Sequence, residues 1–169
     1  MTTDEIFAEA IKQHKPITKV AEVCKDVATK TVKEFQGEYR WLSNFATVEI
    51  VLGDFKYPST ENAYMSEKNS DTGWKKYCSE ETNPSKVKSE SRQVDLVEGW
   101  NENRLTTMYP ILLQKFTQEP YKSKLLATGN MELQEGNKWG DTFWGVDLKT
   151  GEGQNNLGKL IMRIRAEIS

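Results

Sequence analysis

Apolar side chains recur at three- and four-residue steps in the second half of the chain, and this spacing predicts amphipathic helices. The first helix follows Trp100, and we expect a kink or a restart at Pro110, because proline removes a backbone donor. A second helix runs from Pro120 to Gly129, and the last follows the glycine-rich run 151–158. Their apolar stripes comprise Leu105, Met108, Leu112, Phe116, Leu125, Leu126, Leu157, Leu160, Ile161, Ile164 and Ile168.

Residues 48–52 alternate between apolar and polar side chains, which is the period of a half-buried β-strand. Gly53-Asp54 then supplies a two-residue type II′ turn signal, and residues 55–57 form the returning strand of a hairpin. Shorter strands are predicted at residues 32–35 and 131–135.

Two weaker helical periodicities, at residues 3–14 and 20–27, precede these elements. We interpret residues 1–31 as an N-terminal helical extension and residues 32–169 as the main domain. Residues 71–91 are polar and are expected to form a solvated helix-loop-helix segment. The predicted fold class is α+β, predominantly helical, with one domain that contains a small β-hairpin or sheet.

The composition is that of a soluble globular protein. Hydrophobic residues make up 37% and charged residues 28% of the 169-residue chain, and the formal net charge is -2. This near-neutral balance argues against a protein held on nucleic acid mainly by charge. Charged residues such as Glu9 and Lys12 interrupt the first apolar positions, and no apolar run approaches the roughly 20 residues that span a bilayer. We therefore expect a cytoplasmic protein without a membrane segment.

The chain contains few of the side chains that serve most hydrolases and metal sites. His14 is the only histidine, and it falls at the end of the first predicted helix, where the helix dipole favours a surface position. Cys24 and Cys78 lack the paired spacing of a zinc site and are too few for a disulfide framework. Serine–histidine and cysteine–histidine chemistry are thereby disfavoured, and carboxylates remain for acid–base catalysis.

The segments 39–45 and 57–68 carry the strongest indication of a ligand site. Aromatic residues there are interleaved with a small polar pair at 43–44, the carboxylate of Glu61 and the ammonium group of Lys68. This mixture is typical of small-molecule pockets, although each aromatic residue taken singly also fits a role in core packing.

Glu61 is predicted to lie in the first turn of a helix that begins after Ser59 or Thr60, either of which can cap it. Glu61 and Lys68 then project from one face, with Tyr64 between them. The positive end of the helix dipole favours the ionised carboxylate, so we expect Glu61 to act as a charged base.

The loop 139–147 is the second candidate site element, because it holds two tryptophans and two aspartates beside glycines. Such aromatic residues have little packing reason to lie on a glycine-rich loop, which favours ligand binding. The run 151–158 is not a Walker or Rossmann phosphate loop, but Asn155 and unpaired amides at the start of the last helix could bind an anion. Lys115 is either a surface lysine or a phosphate contact.

Several short motifs follow one another in order from about Phe35 to Arg165, which is most of the chain. They are Leu42-Ser43-Asn44-Phe45, Tyr57-x-Ser59-x-Glu61-x-x-Tyr64 with Lys68, Trp100, Lys115-Phe116, Thr128-Gly129, Leu133-x-Glu135, Trp144-Gly145, Gly153-x-Asn155-x-Leu157-Gly158 and Met162-x-x-Arg165. This ordered set resembles the YbiA-like, or NADAR, family. The resemblance implies a compact, mainly helical α+β domain.

The resemblance also implies an activity. Members of this family are described as N-glycosidases that act on phosphoribosylated pyrimidine intermediates of riboflavin synthesis, or that remove ADP-ribose from guanine in nucleic acid. The family's glutamate matches Glu61, and its Trp-Gly pair followed by an aspartate matches Trp144, Gly145 and Asp147. One position departs from the pattern, since Asn62 stands where the family commonly has histidine, and asparagine can form hydrogen bonds but cannot titrate.

These features describe a pocket for a nucleotide-like ligand, with no cofactor. Cleavage of an N-glycosidic bond needs no metal, because a fixed carboxylate can stabilise the oxocarbenium-like transition state and take a proton from water. Glu61 is the predicted catalytic carboxylate, with Asp147 as its assistant. Aromatic rings would stack on the base while cations hold phosphate. The predicted substrate-binding residues are Ser43, Asn44, Phe45, Tyr64, Lys68, Arg92, Trp144, Gly145, Asn155 and Arg165.

Two other function classes stay open. A non-catalytic module that binds ADP-ribose or another NAD-derived nucleotide is the alternative, and Asn62 is the feature that keeps it in consideration. An interaction protein, whose N-terminal extension docks a partner, is the third. The expected partner of the site is a small-molecule nucleotide or an ADP-ribosylated nucleic acid.

Overall fold

Helices account for most of the ordered backbone in the computed structural model, which describes residues 30–169. The α-helices are α1 (Thr60–Ser66), α2 (Thr72–Glu80), α3 (Pro84–Glu90), α4 (Arg104–Phe116), α5 (Tyr121–Ala127) and α6 (Asn156–Ile168). The strands are β1 (Thr31–Val32), β2 (Thr47–Leu52), β3 (Phe55–Ser59), β4 (Glu132–Leu133), β5 (Gly136–Asn137) and β6 (Val146–Asp147), and short 3-10 helices cover Gly37–Leu42 and Ser91–Gln93. The predominantly helical α+β prediction is confirmed. Nearly all of the expected N-terminal extension lies outside the described residues. This includes the helices expected at residues 3–14 and 20–27, together with His14 and Cys24.

The strands form three two-stranded sheets within the described range. β2 and β3 make the predicted antiparallel hairpin, in which Ile50 lies opposite Tyr57. Gly53 has a φ of +56° in the turn, which glycine adopts without steric cost. Pro58 lies within β3 rather than ending it, because an isolated hairpin leaves one edge of each strand free of ladder hydrogen bonds. The other two sheets are parallel pairs, β1 with β4 and β5 with β6.

The core lies where the hairpin packs against α1 and α4, and α4 in turn packs against α6. Every residue of α1 is buried, so the hairpin delivers this helix into the interior and fixes the place of Glu61. The predicted apolar stripes are confirmed except at two positions. Leu105 is 39% exposed, and Leu126 is half-buried and does not pack against the core. The largest fully buried apolar side chains are Leu42, Ile50, Tyr57, Met108, Ile111, Leu112, Phe116, Leu125, Leu133, Ile161 and Ile164.

Helix α4 continues through Pro110, so the restart that the sequence suggested does not occur. Proline lacks the N–H that would donate to the carbonyl of Thr106. Both residues are exposed, and water can therefore satisfy that carbonyl. Nowhere in residues 30–169 does a helix combine the length and the apolar character needed to cross a bilayer.

Candidate active site

A cavity of about 650 Å³ opens beside the N-terminal half of α1. Its wall is built from the segment around the first 3-10 helix, α1, α3, α4 with the segment leading into it, the loop that follows β4, and the start of α6. The lining residues used below are Arg40, Ser43, Asn44, Phe45, Glu61, Tyr64, Lys68, Lys88, Trp100, Arg104, Glu135, Trp139, Asp141 and Trp144. This volume is within the range of small-molecule and cofactor sites.

Local hydrogen bonds fix the start of α1, and with it Glu61. Ser59 is the helix cap, because its Oγ accepts a hydrogen bond from the backbone N–H of Asn62 at 3.0 Å. The N–H of Glu61 donates to the carbonyl of Asn44 at 3.0 Å, and the Thr60 hydroxyl donates to the same carbonyl. The predicted capped helix is confirmed, and Asn44 serves it as an anchor.

The Glu61 side chain is buried against the cavity, with only 6% of its surface exposed. No side chain or amide of residues 30–169 donates a hydrogen bond to its carboxyl group. Burial raises the pKa of Glu61, and the ammonium groups of Lys88 and Lys68 oppose that rise. Burial is the larger effect, so the surroundings on balance favour the protonated carboxyl. The charged form that the helix dipole was expected to favour is supported by the two lysines and by no hydrogen bond from the described residues.

Four cationic side chains line the same cavity: Arg40, Lys68, Lys88 and Arg104. The Nζ of Lys68 donates to the hydroxyl of Ser91 at 3.1 Å, so Ser91 holds this lysine in place. Burial lowers the pKa of Lys68, and Glu61 opposes that change. The guanidinium of Arg104 lies 3.6 Å from the ring centre of Phe143, which orients it by a cation–π contact.

Aromatic rings supply the apolar part of the wall. The ring of Tyr64 lies 5.0 Å from that of Trp100 and 5.4 Å from that of Trp144, the latter in an edge-to-face arrangement. Burial raises the pKa of Tyr64 well above its ordinary value, so its hydroxyl stays protonated. Trp139, by contrast, is 63% exposed at the rim. The candidate loop therefore contributes one packed ring and one ring open to solvent.

A buried asparagine organises the loop that carries these tryptophans. The side chain of Asn137 donates to the carbonyl of Asp141 at 2.8 Å and accepts from its N–H at 3.0 Å. The Asp141 carboxylate then accepts from the N–H groups of Phe143 and Trp144 at 3.0 and 2.9 Å. Asp141 thus closes the turn that aims Trp144 at Tyr64.

Glu135 is a cavity residue that the sequence analysis did not assign to the site. It belongs to the Leu133-x-Glu135 motif, which contributed to the family resemblance, but neither the motif nor the strand pattern gave it a functional role. Burial raises its pKa to about 7, with the Asp141 carboxylate acting in the same direction. Asp141, Lys88 and Arg104 also line the cavity without having been predicted to do so. Within residues 30–169, no group of three or more histidine, cysteine, aspartate or glutamate side chains is arranged to hold a metal ion.

The structure brings seven predicted site residues together at the cavity: Ser43, Asn44, Phe45, Glu61, Tyr64, Lys68 and Trp144. It places Asp147 outside the lining, where its carboxylate accepts from the N–H of Lys149 at 2.8 Å. Arg92 is exposed outside the lining as well. Arg165 donates to the hydroxyl of Thr128 and to the carbonyl of Met131. These hydrogen bonds indicate a structural role, and Arg165 does not line the cavity.

Asn155 and Gly145 lie behind the cavity wall rather than in it. The Asn155 side chain accepts from the N–H of Glu135 at 3.0 Å and donates to the carbonyl of Leu133 at 2.9 Å. A side chain at Gly145 would place its Cβ only 1.8 Å from a Glu135 carboxyl oxygen. Both residues therefore act on the position of Glu135.

The start of α6 does not offer the unpaired amides expected from the sequence. The N–H groups of Asn155, Asn156 and Leu157 donate to the carbonyls of Gly145, Phe143 and Trp144. Those bonds tie the tryptophan loop to the helix and leave no amide of these three for an anion.

Lys115 is neither a surface lysine nor a phosphate contact. It is fully buried, and its Nζ donates to the carbonyl of Ser43 at 2.8 Å. Cys78 is buried, and burial raises the pKa of its thiol to about 12, which agrees with an inert reduced thiol.

Fold and cavity together define an α+β domain with a carboxylate- and cation-lined cavity of small-molecule size. The NADAR domain family model matches residues 30–169, and the chain belongs to this family. The solution NMR structure of the Escherichia coli protein YbiA superimposes with a TM-score of 0.73 at 25% identity, covering 83% of this chain and 86% of that one.

Two relatives carry functional names. The chain is 29% identical over 155 residues to a riboflavin biosynthesis protein of Vibrio vulnificus, which covers 86% of this chain but only 42% of the length of that protein. It is 27% identical over 135 residues to the N-glycosidase YbiA of Escherichia coli, covering 78% of this chain and 83% of the relative.

Proposed function

We propose that this protein is a hydrolase that cleaves the N-glycosidic bond between a ribose and a nitrogen base. The observation that supports this most is Glu61, a buried carboxylate in the wall of an aromatic cavity to which the described part of the chain donates no hydrogen bond. A structural carboxylate at such depth is normally paired. An unpaired one is suited to stabilise positive charge that develops on a ribose ring and to take a proton from water.

The rest of the cavity suits a phosphorylated riboside. Lys68, Lys88 and Arg104 can hold phosphate, since charge-assisted hydrogen bonds to phosphate are among the stronger polar contacts. The rings of Tyr64 and Trp144 offer faces and edges for a base. We infer that the substrate is a phosphoribosylated aminopyrimidine of riboflavin synthesis or an ADP-ribosylated guanine. The name of the riboflavin biosynthesis relative supports the first of these two substrates. We also propose that the protein acts in the cytoplasm, as expected from the sequence.

A module that only binds ADP-ribose fits the cations and the aromatic rings but not the carboxylates. Glu61, Glu135 and Asp141 line the same cavity, and recognition of a diphosphate calls for cations rather than for three acidic groups. A hydrolase, by contrast, uses acid and base groups at the bond that breaks.

The test is release of free base from each candidate substrate, followed by liquid chromatography. We expect the wild-type protein to release base and Glu61→Gln to lose at least about a hundredfold in kcat, because its amide cannot stabilise the charge or accept the proton. Glu98→Gln makes the same chemical change at an exposed residue outside the cavity lining, and it is the matched control. A thermal shift with ADP-ribose but no base release from any candidate would support the binding module and refute the hydrolase.

A further inference from the structure

Glu135 brings a second carboxyl group to the cavity, from a different wall than Glu61. It lies between β4 and β5, and it lines the cavity together with Glu61 and Asp141. The role proposed for Glu61, to stabilise positive charge and to accept a proton from water, assigns no group to protonate the departing nitrogen.

The backbone of Glu135 is held from two sides. Its N–H donates to Asn155 at 3.0 Å, and its carbonyl accepts from the N–H of Val146 at 2.9 Å. Asn155 has a φ of 51°, a left-handed conformation that asparagine adopts more readily than most residues other than glycine. These two hydrogen bonds fix the backbone position of Glu135.

The carboxyl group of Glu135 has a defined position but makes only one weak hydrogen bond. One oxygen accepts a 3.3 Å hydrogen bond from Asn137, and Gly145 leaves the space that this oxygen occupies, since any Cβ there would overlap it. A purely structural glutamate would be expected to make stronger charged contacts. The group instead faces the space where a ligand would lie.

The surroundings of Glu135 favour the protonated carboxyl. Burial is the largest cause of its raised pKa, Asp141 on its own loop and Glu61 on α1 act in the same direction, and Asn137 and Lys88 oppose them. Glu61 differs, because it lies in the first turn of α1 and faces both Lys68 and Lys88. Burial raises the pKa of both carboxyl groups, so the pair readily holds one proton. The charged form of Glu61 has two lysines and the start of a helix to support it, whereas that of Glu135 has only one lysine, Lys88.

We propose that Glu135 is the general acid of the N-glycosidase reaction, donating its proton to the leaving nitrogen while Glu61 accepts a proton from the attacking water. This inference rests on the proposed function. The bond between C1′ and nitrogen breaks, and the nitrogen keeps the bonding electrons and receives the Glu135 proton. The water oxygen bonds to C1′ and gives one proton to Glu61. Return of that proton to Glu135 through solvent restores the enzyme, with no net oxidation or reduction.

A general acid matters only when the leaving group needs protonation, and this dependence gives a selective test. Glu135→Gln keeps the size of the side chain and its capacity to accept from Asn137. Its kcat is compared with that of the wild type on a series of 5-phosphoribosyl aminopyrimidines whose rings carry increasingly electron-withdrawing substituents. We expect a loss of about 10²- to 10⁴-fold for the poorest leaving group, shrinking to less than about tenfold for the best. Glu61→Gln should lose activity by a similar factor across the whole series.

The pH profile supplies a second readout. Wild-type kcat/KM should fall on the alkaline side as Glu135 loses its proton, and Glu135→Gln should lack this fall. Glu132→Gln, an exposed glutamate on β4 three residues away, is the control and should match the wild type in both experiments.

Three results are possible. A loss that shrinks along the series together with a missing alkaline fall supports the role of Glu135. An equal loss on every substrate, or an alkaline fall that persists in Glu135→Gln, overturns it while leaving the hydrolase proposal intact. Absence of base release by the wild-type protein on every substrate refutes the proposed function and this inference with it.

Discussion

Asn62 occupies the position where the family commonly has histidine, and the structure predicts that its replacement changes stability rather than chemistry. The side chain is fully buried but does not line the cavity. Its amide donates to the carbonyls of Cys78 and Glu81 at 2.9 and 2.6 Å and accepts from the Ser59 hydroxyl at 2.9 Å. It thus joins the start of α1 to the last carbonyls of α2.

The perturbation is Asn62→Leu, which keeps a similar volume and removes all three hydrogen bonds. Leaving a buried carbonyl unpaired costs about 1–3 kcal/mol, so the two carbonyls together cost roughly 3 kcal/mol, since the one on Glu81 is only partly buried. For a domain of this size, that corresponds to a fall in Tm of about 10 °C. Urea denaturation gives the free energy of unfolding directly, and kcat measured well below the Tm should stay within about threefold of the wild type.

The control is Asn130→Ala, an exposed residue whose side chain makes no hydrogen bond in the part of the chain that the structure covers, and it should change stability by less than about 0.5 kcal/mol. The reasoning is refuted if Asn62→Leu leaves the Tm unchanged, or if a folded Asn62→Leu protein loses more than a hundredfold in kcat. The second result would mean that position 62 takes part in the reaction despite pointing away from the cavity.

Two further predictions concern residues around the same cavity. Burial lowers the pKa of Lys115 to about 7, so between pH 7 and the ordinary lysine value of about 10.4 the unfolded chain binds more protons and wild-type stability rises with pH. Lys115→Met should lack that rise, and a constant stability difference between the two proteins in urea denaturation from pH 7 to 10 would contradict this. Trp139→Ala should raise KM about tenfold with kcat unchanged, because a stacked ring at the rim contributes about 1–3 kcal/mol to binding; an unchanged KM for every substrate would show that the exposed ring makes no contact.

The sequence predicted the first half of the site well because the information there is local. The turn at Gly53, the cap at Ser59 and the place of Glu61 in the first helical turn depend on residues within a few positions of each other. A buried amphipathic helix is likewise visible in its own spacing, as the stripe that includes Met108 shows. Each of these elements is specified before any distant contact forms.

The second half of the site depends on contacts between distant segments, and there the local signals were misleading. Asn155 resembled an anion-binding residue, yet its side chain supports Glu135, twenty positions earlier. Asp147 matched an aspartate of the family pattern, but it caps its own turn. Glu135 ended a short predicted strand whose pattern gave it no functional role, and only the fold shows that it lines the cavity. Glycine at 145, read as a ligand contact, leaves room for a carboxyl group instead.

The acidic and basic side chains of the cavity are expected to change their protonation when a phosphorylated substrate binds. Free of ligand, the wall holds acidic groups whose burial is partly offset by Lys68 and Lys88. A bound phosphate engages those cations and adds negative charge of its own, and each effect disfavours a further carboxylate nearby. Binding should therefore increase the protonated fraction of Glu135, so that the arrival of an anionic substrate prepares the acid that its leaving group requires. A neutral riboside would bind without increasing the protonation of Glu135. The cations that bind phosphate therefore also contribute to proton transfer.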